Sequence, residues 1–317
     1  MASRRALNAP LHRHRERGVA LLTAVLVVAI GTLLATNLMW LSTLDQLRTA
    51  SAMASDQELQ YALGAEAWAA DILRQDLEDS TESDHLGEIW AVEIDPLPIE
   101  GGFIQGALED LQGRFNLNNL VSLEGEEDEV MVAQFQRLLQ LVEIDPGLAG
   151  AVVDWIDPDT EPRFPIGGED DAYSRADPQY MTPNSMVTSP SELMAINGFD
   201  AESYARIAPY VTALPRGTQL NVNTASDVVL ASLSDEIDLN TAASLVDERA
   251  GGEFASIETT FQGLVSERML PRLDGVSDHF LLIGRVTIGD TTLRIRSVLQ
   301  RHDSGLTRTL FRSFGVE

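Results

Sequence analysis

Apolar residues follow three rhythms along this chain. The first is a block. After Gly18, the run Val19-Ala20-Leu21-Leu22-Thr23-Ala24-Val25-Leu26-Val27-Val28-Ala29-Ile30 opens a stretch that carries no charge until Asp45. As a helix this stretch is long enough to cross a hydrocarbon core about 30 Å thick. The second rhythm is helical. Leu59, Leu63, Ala67, Ala70, Leu73 and Leu77 recur at three- and four-residue spacing, and no proline follows the block before Pro96. One helix over about residues 19–79 is predicted, roughly 90 Å long at ~1.5 Å per residue, half in a membrane and half the spine of a soluble domain. The third rhythm belongs to strands. Residues 88–95 and 101–117 predict short strands broken by Pro96, Pro98 and the Gly101-Gly102 pair, and residues 120–272 then read as helical. At the far end, residues 280–288 and 291–301 flank Gly289-Asp290, a two-residue hairpin turn with glycine first. A third strand over 306–314 follows Asp303-Ser304-Gly305. In the middle strand Leu293, Ile295 and Ser297 share one face, and Arg294 and Arg296 the other.

Charge gives the first block a direction. Arg4, Arg5, Arg13, Arg15 and Arg17 precede Gly18, so this flank stays cytoplasmic and residues from Asp45 onward lie outside. A secretory signal peptide would place a small-residue cleavage site after the apolar run, and nothing of the A-x-A kind follows this run with a clear turn. Here the glycine comes before it. That order resembles the leader of type IV pilins and pseudopilins, whose peptidase cuts after the glycine and leaves the apolar helix on the mature protein. Val19 would become the new N-terminus. An uncleaved single-span anchor is the plain alternative. The pilin pattern has Glu at the fifth mature position, and this chain has Thr23. In pilins that Glu is thought to offset the N-terminal amine of a neighbouring subunit, because an unpaired charge in a low-dielectric site is costly.

The C-terminal strands need more partners and a covering helix. The early strands and the long helix supply both. The expected fold is α+β: a pilin-like long N-terminal helix packed on an antiparallel sheet, with an all-α domain, SAM-like or helix-hairpin-helix-like, inserted between the strands. The expected division is a leader over 1–18, a transmembrane part over 19–44, an α+β domain from 45–119 and 273–317, and the insert over 120–272.

Composition narrows the function. The 317 residues hold 49 acidic against 22 basic side chains, a net charge of −27, and every basic residue other than the five His is Arg. Residues 1–18 contain five Arg and one Glu, so without them the balance falls to −31. Such a chain repels nucleic acid phosphates and suits divalent cations or basic partners; adaptation to salt is the bland origin of the same balance. There is no Cys, so core burial, a metal or partner subunits must supply what disulfides would.

Several ordered motifs add to the leader. Asp110-Leu111-Gln112-Gly113-Arg114-Phe115-Asn116-Leu117-Asn118-Asn119-Leu120 resembles the D-x-x-G-R-x-N-L-N-N-L signature of the general secretion pathway protein K family, minor pseudopilins of type II secretion. So do Asp154-Trp155-Ile156-Asp157-Pro158-Asp159 and Gly167-Gly168-Glu169-Asp170-Asp171-Ala172-Tyr173. Members of the family also lack the fifth-position Glu and carry a large helical insertion. The resemblance implies cleavage between Gly18 and Val19 by the prepilin peptidase and a methylated new N-terminus. It also implies a single-pass inner-membrane protein with a periplasmic C-terminal domain, at the tip of a short pseudopilus that serves protein export. Implied partners are the I- and J-type minor pseudopilins and the major pseudopilin. A minor pilin of another type IV filament or competence system, or a membrane-anchored calcium-binding module without a filament, are the other readings.

The loop from Asp154 onward has its own chemistry. Asp154, Asp157, Asp159, Glu161, Glu169, Asp170, Asp171 and Asp177 alternate with Pro158, Pro162, Pro165, Gly167 and Gly168. Proline and glycine prevent a helix and let the loop fold back, so several carboxylates can converge. Ca²⁺ takes six to eight oxygens and fits such a loop, whereas Zn²⁺ would want His or Cys. The spacing is not that of an EF-hand. Asp157, Asp159, Glu169 and Asp170 are the leading ligands, followed by Asp171 and Asp154; a solvated acidic loop is the alternative. The family resemblance implies calcium in the helical domain. The other acidic run, residues 124–129, reads as a helix N-terminus ahead of Met131, Phe135, Leu138 and Val142.

Two further segments are structural on this reading. Leu220-Asn221-Val222-Asn223-Thr224-Ala225, with residues 242–249 and Gly252-Glu253-Phe254, is similar to a helix-hairpin-helix DNA-binding unit, but the hairpin carries Ser234-Asp235-Glu236-Ile237-Asp238, whose acids repel a phosphate. Asn223 is expected to cap a helix, and Ser189-Pro190-Ser191-Glu192 to form a capping box. Two of the five His, His12 and His14, belong to the leader, and no nucleophile-elbow, P-loop or H-E-x-x-H pattern occurs, so no catalytic residue is assigned.

Overall fold

A computed structural model describes residues 13–79, 83–163, 166–175, 178–249 and 252–316, with side chains from Val19 to Gly315. Residues 1–12, the Gly18 side-chain environment and Asp177 lie outside that description. Two compact units are present, residues 1–57 and 58–317.

In the first unit there is one helix, α1, whose full span is Arg13–Asp79. Its apolar block is bare: Val19, Leu21, Leu22, Val25, Val27 and Val28 are each more than 60% exposed. A helix this long and apolar from Val19 satisfies the requirement for a membrane span. Thr23 donates its hydroxyl to the carbonyls of Val19 (3.1 Å) and Ala20 (3.0 Å), so its polar group is satisfied within its own helix.

The second unit contains the strands β1 (Ile94–Ile99), β2 (Gly102–Asp110), β3 (Phe115–Asn116), β4 (Val211–Thr212), β5 (Leu220–Asn221), β6 (Leu273–Asp274), β7 (His279–Ile288), β8 (Thr291–Arg301) and β9 (Thr307–Val316). Five form an antiparallel sheet in the order β1-β2-β7-β8-β9. β2 pairs with β7 from Gly102↔Ile288 to Asp110↔Phe280, so the sheet joins chain segments separated by the whole helical region. The β7–β8 turn has glycine first, and Gly289 takes φ +58°, the left-handed value such a turn requires. Two prolines lie inside β1, not at breaks between strands as expected. β1 is an edge strand, where a missing N–H need not cost a ladder bond, and its register shifts between Ile94 and Leu97. Of the expected strand over 88–95 only Ile94 and Asp95 are in a strand, at the start of β1; before them Ile89–Ala91 is a 3₁₀ turn that buries Trp90 edge-on against Phe280 at 5.2 Å.

The face that α1 turns to the sheet also differs from the expected stripe. Its buried positions are Glu58, Ala62, Glu66, Ala69, Leu73 and Asp76, and only Leu73 is shared with the stripe. Three acids sit on this face because the sheet offers them donors. Thr291 Oγ1 donates to Glu58 (2.5 Å), Ser297 Oγ to Glu66 (2.5 Å), and Arg301 Nη1 to Asp76 (2.8 Å). Thr309 Oγ1 and Arg312 Nε also reach Glu66, at 2.8 and 2.7 Å. A buried carboxylate supplied with donors is tolerated, and the apolar period is displaced by about one position.

Between β2 and β7 the chain is mainly helical: α2 (Glu129–Leu141), α3 (Leu148–Ile156), α4 (Asp170–Tyr173), α5 (Ala201–Ile207), α6 (Asp227–Ala231), α7 (Leu239–Glu248) and α8 (Ile257–Phe261). Strands do not stop altogether, since β3 pairs with β4 and β5 with β6, each in parallel. One core gathers Phe115, Phe135, Leu139, Val152 and Ile156; another gathers Val222, Leu230, Leu245 and Phe261. α2 starts where the acidic run predicts, with Asp128 accepting from the Val130 and Met131 N–H groups. The capping box at Ser189 and Glu192 is formed. Asn223 is not the cap expected of it. Ser226 caps α6, while the Asn223 side chain accepts from the Phe254 N–H and donates to the Gly275 carbonyl, tying two loops together. The Asn-Leu-Asn-Asn motif is a latch of the same kind: Asn118 Nδ2 donates to the Val187 and Leu214 carbonyls at 3.0 and 2.8 Å.

Where helical region and sheet meet, Asp110 is buried. Its Oδ2 accepts from Asn221 Nδ2 (3.1 Å), Thr224 Oγ1 (2.5 Å) and Ser277 Oγ (2.7 Å). Burial pushes this carboxyl from 3.8 up to about 6, against those hydrogen bonds. The folded state therefore binds the proton more tightly than the unfolded state. This group's contribution is fully present below pH 3.8 and is lost as pH rises through about 6. At about 1.4 kcal/mol per tenfold in proton affinity, it amounts to roughly 3 kcal/mol. Urea midpoints of Asp110→Asn measured from pH 4 to 7 should lack this part of the wild-type slope; parallel curves for the two proteins would refute the assignment.

Candidate metal-binding site

The acidic loop folds back as its proline and glycine content predicts. α3 carries Asp154 in its last turn and ends with Asp157 as C-cap, and Glu169 is the N-cap residue of α4. Gly167 permits the return. A Cβ there would stand 2.2 Å from the Arg163 carbonyl oxygen and 2.3 Å from Asp154 Oδ2. The fold brings Asp157, Asp159 and Glu169 together, with one oxygen of each within 4.8 Å of the others. Asp157 is wholly buried, Glu169 nearly so, and Asp159 exposed. Asp170 stands beside them: its Oδ1 accepts from the Thr182 N–H and hydroxyl, both at 3.1 Å, and Glu169 Oε2 accepts from the same hydroxyl at 3.1 Å. Asp171 is exposed and lies outside this group of three. Asp154 is committed elsewhere. Its Oδ1 accepts from Arg163 Nη1 (2.8 Å), and its Oδ2 from the N–H groups of Arg163 (3.0 Å) and Gly168 (2.9 Å), which fixes the loop's path.

Two participants were not foreseen. Arg163 lies among the acids, paired with Asp154, with Asp157 and, through Nε, with Glu127 at 2.8 Å. Asn184, at φ +44°, donates Nδ2 to the Asp159 carbonyl at 3.1 Å. Asn184 is 25 residues from Asp159 in sequence, so no local spacing announces it.

Even with Arg163 present, negative charge is in excess. Burial, then repulsion from Asp154, Asp157 and Asp159, pushes the Glu169 carboxyl up to about 7, against the Thr182 hydrogen bond. Burial also raises Asp157, although Arg163 opposes it. Asp157 Oδ1, Glu169 Oε1 and Asn184 Oδ1 are buried oxygens with no hydrogen-bond donor among the described residues. Buried acceptors without donors are costly. A cation would supply what they lack, and an all-oxygen set of carboxylates and an amide carbonyl suits a hard ion such as Ca²⁺ over Zn²⁺. The residues present therefore fit the ion that the sequence suggested.

Comparison with known proteins places this loop in a family context. Residues 113–216 and then 220–273 match two consecutive family descriptions, both of type II secretion system (T2SS) protein K. Type II secretion system protein K of Pseudomonas aeruginosa is 36% identical over 96% of this chain and 94% of its own length. The chain belongs to the type II secretion system protein K family. The protein K of Klebsiella pneumoniae is 33% identical over 96% of this chain and 95% of its own. A chain in the crystal structure of the GspK-GspI-GspJ complex from enterotoxigenic Escherichia coli superposes with a TM-score of 0.76 at 26% identity, covering 84% of this chain and 99% of that one. As a protein K, this chain is a minor pseudopilin of a type II secretion system, a structural component of protein export. The α+β fold agrees with that solved relative, and the apolar N-terminal helix fits an inner-membrane anchor.

Proposed function

We propose that this protein K caps the tip of a periplasmic pseudopilus and helps initiate its assembly. The prepilin peptidase cuts between Gly18 and Val19, and the new N-terminus is methylated. Residues 19–44 stay in the inner membrane and the chain from Asp45 onward lies in the periplasm. Residues 45–119 with 273–317 make the pilin-like part, and residues 120–272 form the cap, steadied by Ca²⁺ on Asp157, Asp159 and Glu169 with Asp170 and Asn184 beside them. The observation that carries the reading is Thr23, whose hydroxyl is satisfied within its own helix. A subunit inside the stack would be asked for a carboxylate at this position, and a subunit at the end is not. The bulk of the helical region argues the same way by sterics. Because the solved relative was crystallised as a GspK-GspI-GspJ complex, I- and J-type minor pseudopilins are the expected direct partners, with the major pseudopilin below them.

The test is co-assembly. The mature full-length chain should begin at Val19 by N-terminal sequencing, and Gly18→Val should leave an unassembled precursor. In detergent it should form a defined complex with I- and J-type subunits and no polymer alone, and Thr23→Glu should not convert it into one. Filaments built mainly of this chain would rule out the tip position.

A further inference from the structure

The three C-terminal strands reverse the charge of the rest of the chain. Residues 279–316 hold six arginines against two aspartates in a protein of net charge −27. Register sorts these groups. Arg301 and Arg312 point to the α1 side of the sheet, where they meet Asp76, Asp84 and Glu66. Arg285 faces Arg294 directly across β7 and β8, and alternation places both on the opposite face with Arg296. Arg308, opposite Gln300, belongs to that face too. The two aspartates, Asp290 and Asp303, lie in the turns.

Among the described residues, few acids of the neighbouring strands reach this face. β2 places Glu109 there, opposite Leu281, and it is paired with Arg114 at 2.5 Å. β1 contributes Asp95 at its register shift, two strands from Arg285. Arg285 and Arg294 make contacts within the chain, so the weight falls on Arg296 and Arg308, both exposed. Between their rungs, opposite Val298, stands Phe311, 61% exposed. The edge strand places the small Ser313 opposite Arg296, so little side-chain bulk from that rung covers the Arg296 guanidinium.

We propose that this face of the sheet is a docking surface for a carboxylate-rich protein, with Arg296 and Arg308 as its charge contacts and Phe311 as its apolar anchor. An exposed aromatic between arginines has the composition of an interface core, and guanidinium groups take carboxylates in paired hydrogen bonds. Charge also sets orientation: an acidic partner is repelled by most of this chain and admitted here. The face is turned away from α1, so a partner held here does not compete with one packed along the helix. The site is independent of the tip position proposed above.

The probe is fluorescein-labelled poly-L-glutamate, added to the full-length chain in detergent and read by fluorescence anisotropy at low and at physiological salt. Binding should be detected, should weaken with salt, and should fall roughly tenfold or more in R296E/R308E. R296K/R308K should keep much of it, and Phe311→Ser should weaken it without changing the salt dependence. R296E/R308E should still co-assemble with I- and J-type subunits, which separates this surface from the pseudopilus reading. If the charge reversal lowers the melting temperature, R296Q/R308Q replaces it and should show a smaller loss in the same direction. Absence of poly-glutamate binding, or binding indifferent to these substitutions, overturns the proposal. Capture by phosphatidylglycerol vesicles but not by poly-glutamate overturns it in favour of a membrane surface.

Discussion

Arg301→Ala is expected to destabilise the protein by about 3–5 kcal/mol, the usual cost of removing one member of a buried ion network. The Arg301 side chain is almost wholly buried at the end of β8. Nη1 donates to Asp76 Oδ2 at 2.8 Å, and Nη2 donates to Asp84 Oδ1 at 2.5 Å and to the Ser277 carbonyl at 2.8 Å. Its guanidinium carbon lies 5.0 Å from the centre of the Phe280 ring. Asp76, Asp84 and Glu88 crowd one spot, with an oxygen of each within 4.8 Å of the others. Burial first, then the Glu88 charge, pushes Asp76 up to about 6 even with Arg301 in place. Without the guanidinium, two buried carboxylates lose their counter-charge at once. Arg301→Lys should recover only part of the loss, because an ammonium cannot fork between the two acids. Urea unfolding of the three proteins at pH 7 measures this, and a loss under about 1 kcal/mol for the alanine variant would mean that the network contributes little.

Calcium removal is the second large effect. A ligand bound only by the folded state at a hundred times its Kd adds about 2.7 kcal/mol. For a protein of this size that corresponds to roughly 4–5 °C in melting temperature. Chelation at constant ionic strength should therefore lower the melting temperature by that amount, and Asp157→Ala with Glu169→Ala should abolish the calcium response. Asn184→Ala should weaken the response without removing it, since it takes away one oxygen and no charge. Asp171→Ala should leave the response unchanged. A wild-type melting curve indifferent to chelator would return the loop to a solvated acidic turn held by Arg163.

The C-terminal hairpin was legible because three local signals agree there: alternation, glycine at the first turn position, and arginines on a single face. The long helix was legible for the same reason, but its packing face was not. Helical periodicity looks for apolar side chains, whereas Glu58, Glu66 and Asp76 are buried because donors arrive from β8 and β9 more than 200 residues away. The acidic loop was readable as a place where carboxylates converge. Which of them have free oxygens was not, since that depends on Arg163 occupying Asp154 and on Asn184 entering from a different loop. Asn223 shows a subtler limit. Asn before Thr-Ala-Ser is good capping chemistry, but Ser226 is equally good and lies next to the helix.

The pairing of β2 with β7 sets an order of events for folding. β2 is made early, yet its partner lies some 170 residues downstream, and β8 and β9 follow later still. The helical region draws its contacts from residues 115–273, so it can close before the last segment is available. Until that segment emerges, the β7 side of β2 is an open strand edge, and open edges recruit strangers. A chain that stalls or loses its last 38 residues would present a folded helical region on an unfinished sheet. The sheet on which α1 is seated is thus complete only once the last three strands have joined it.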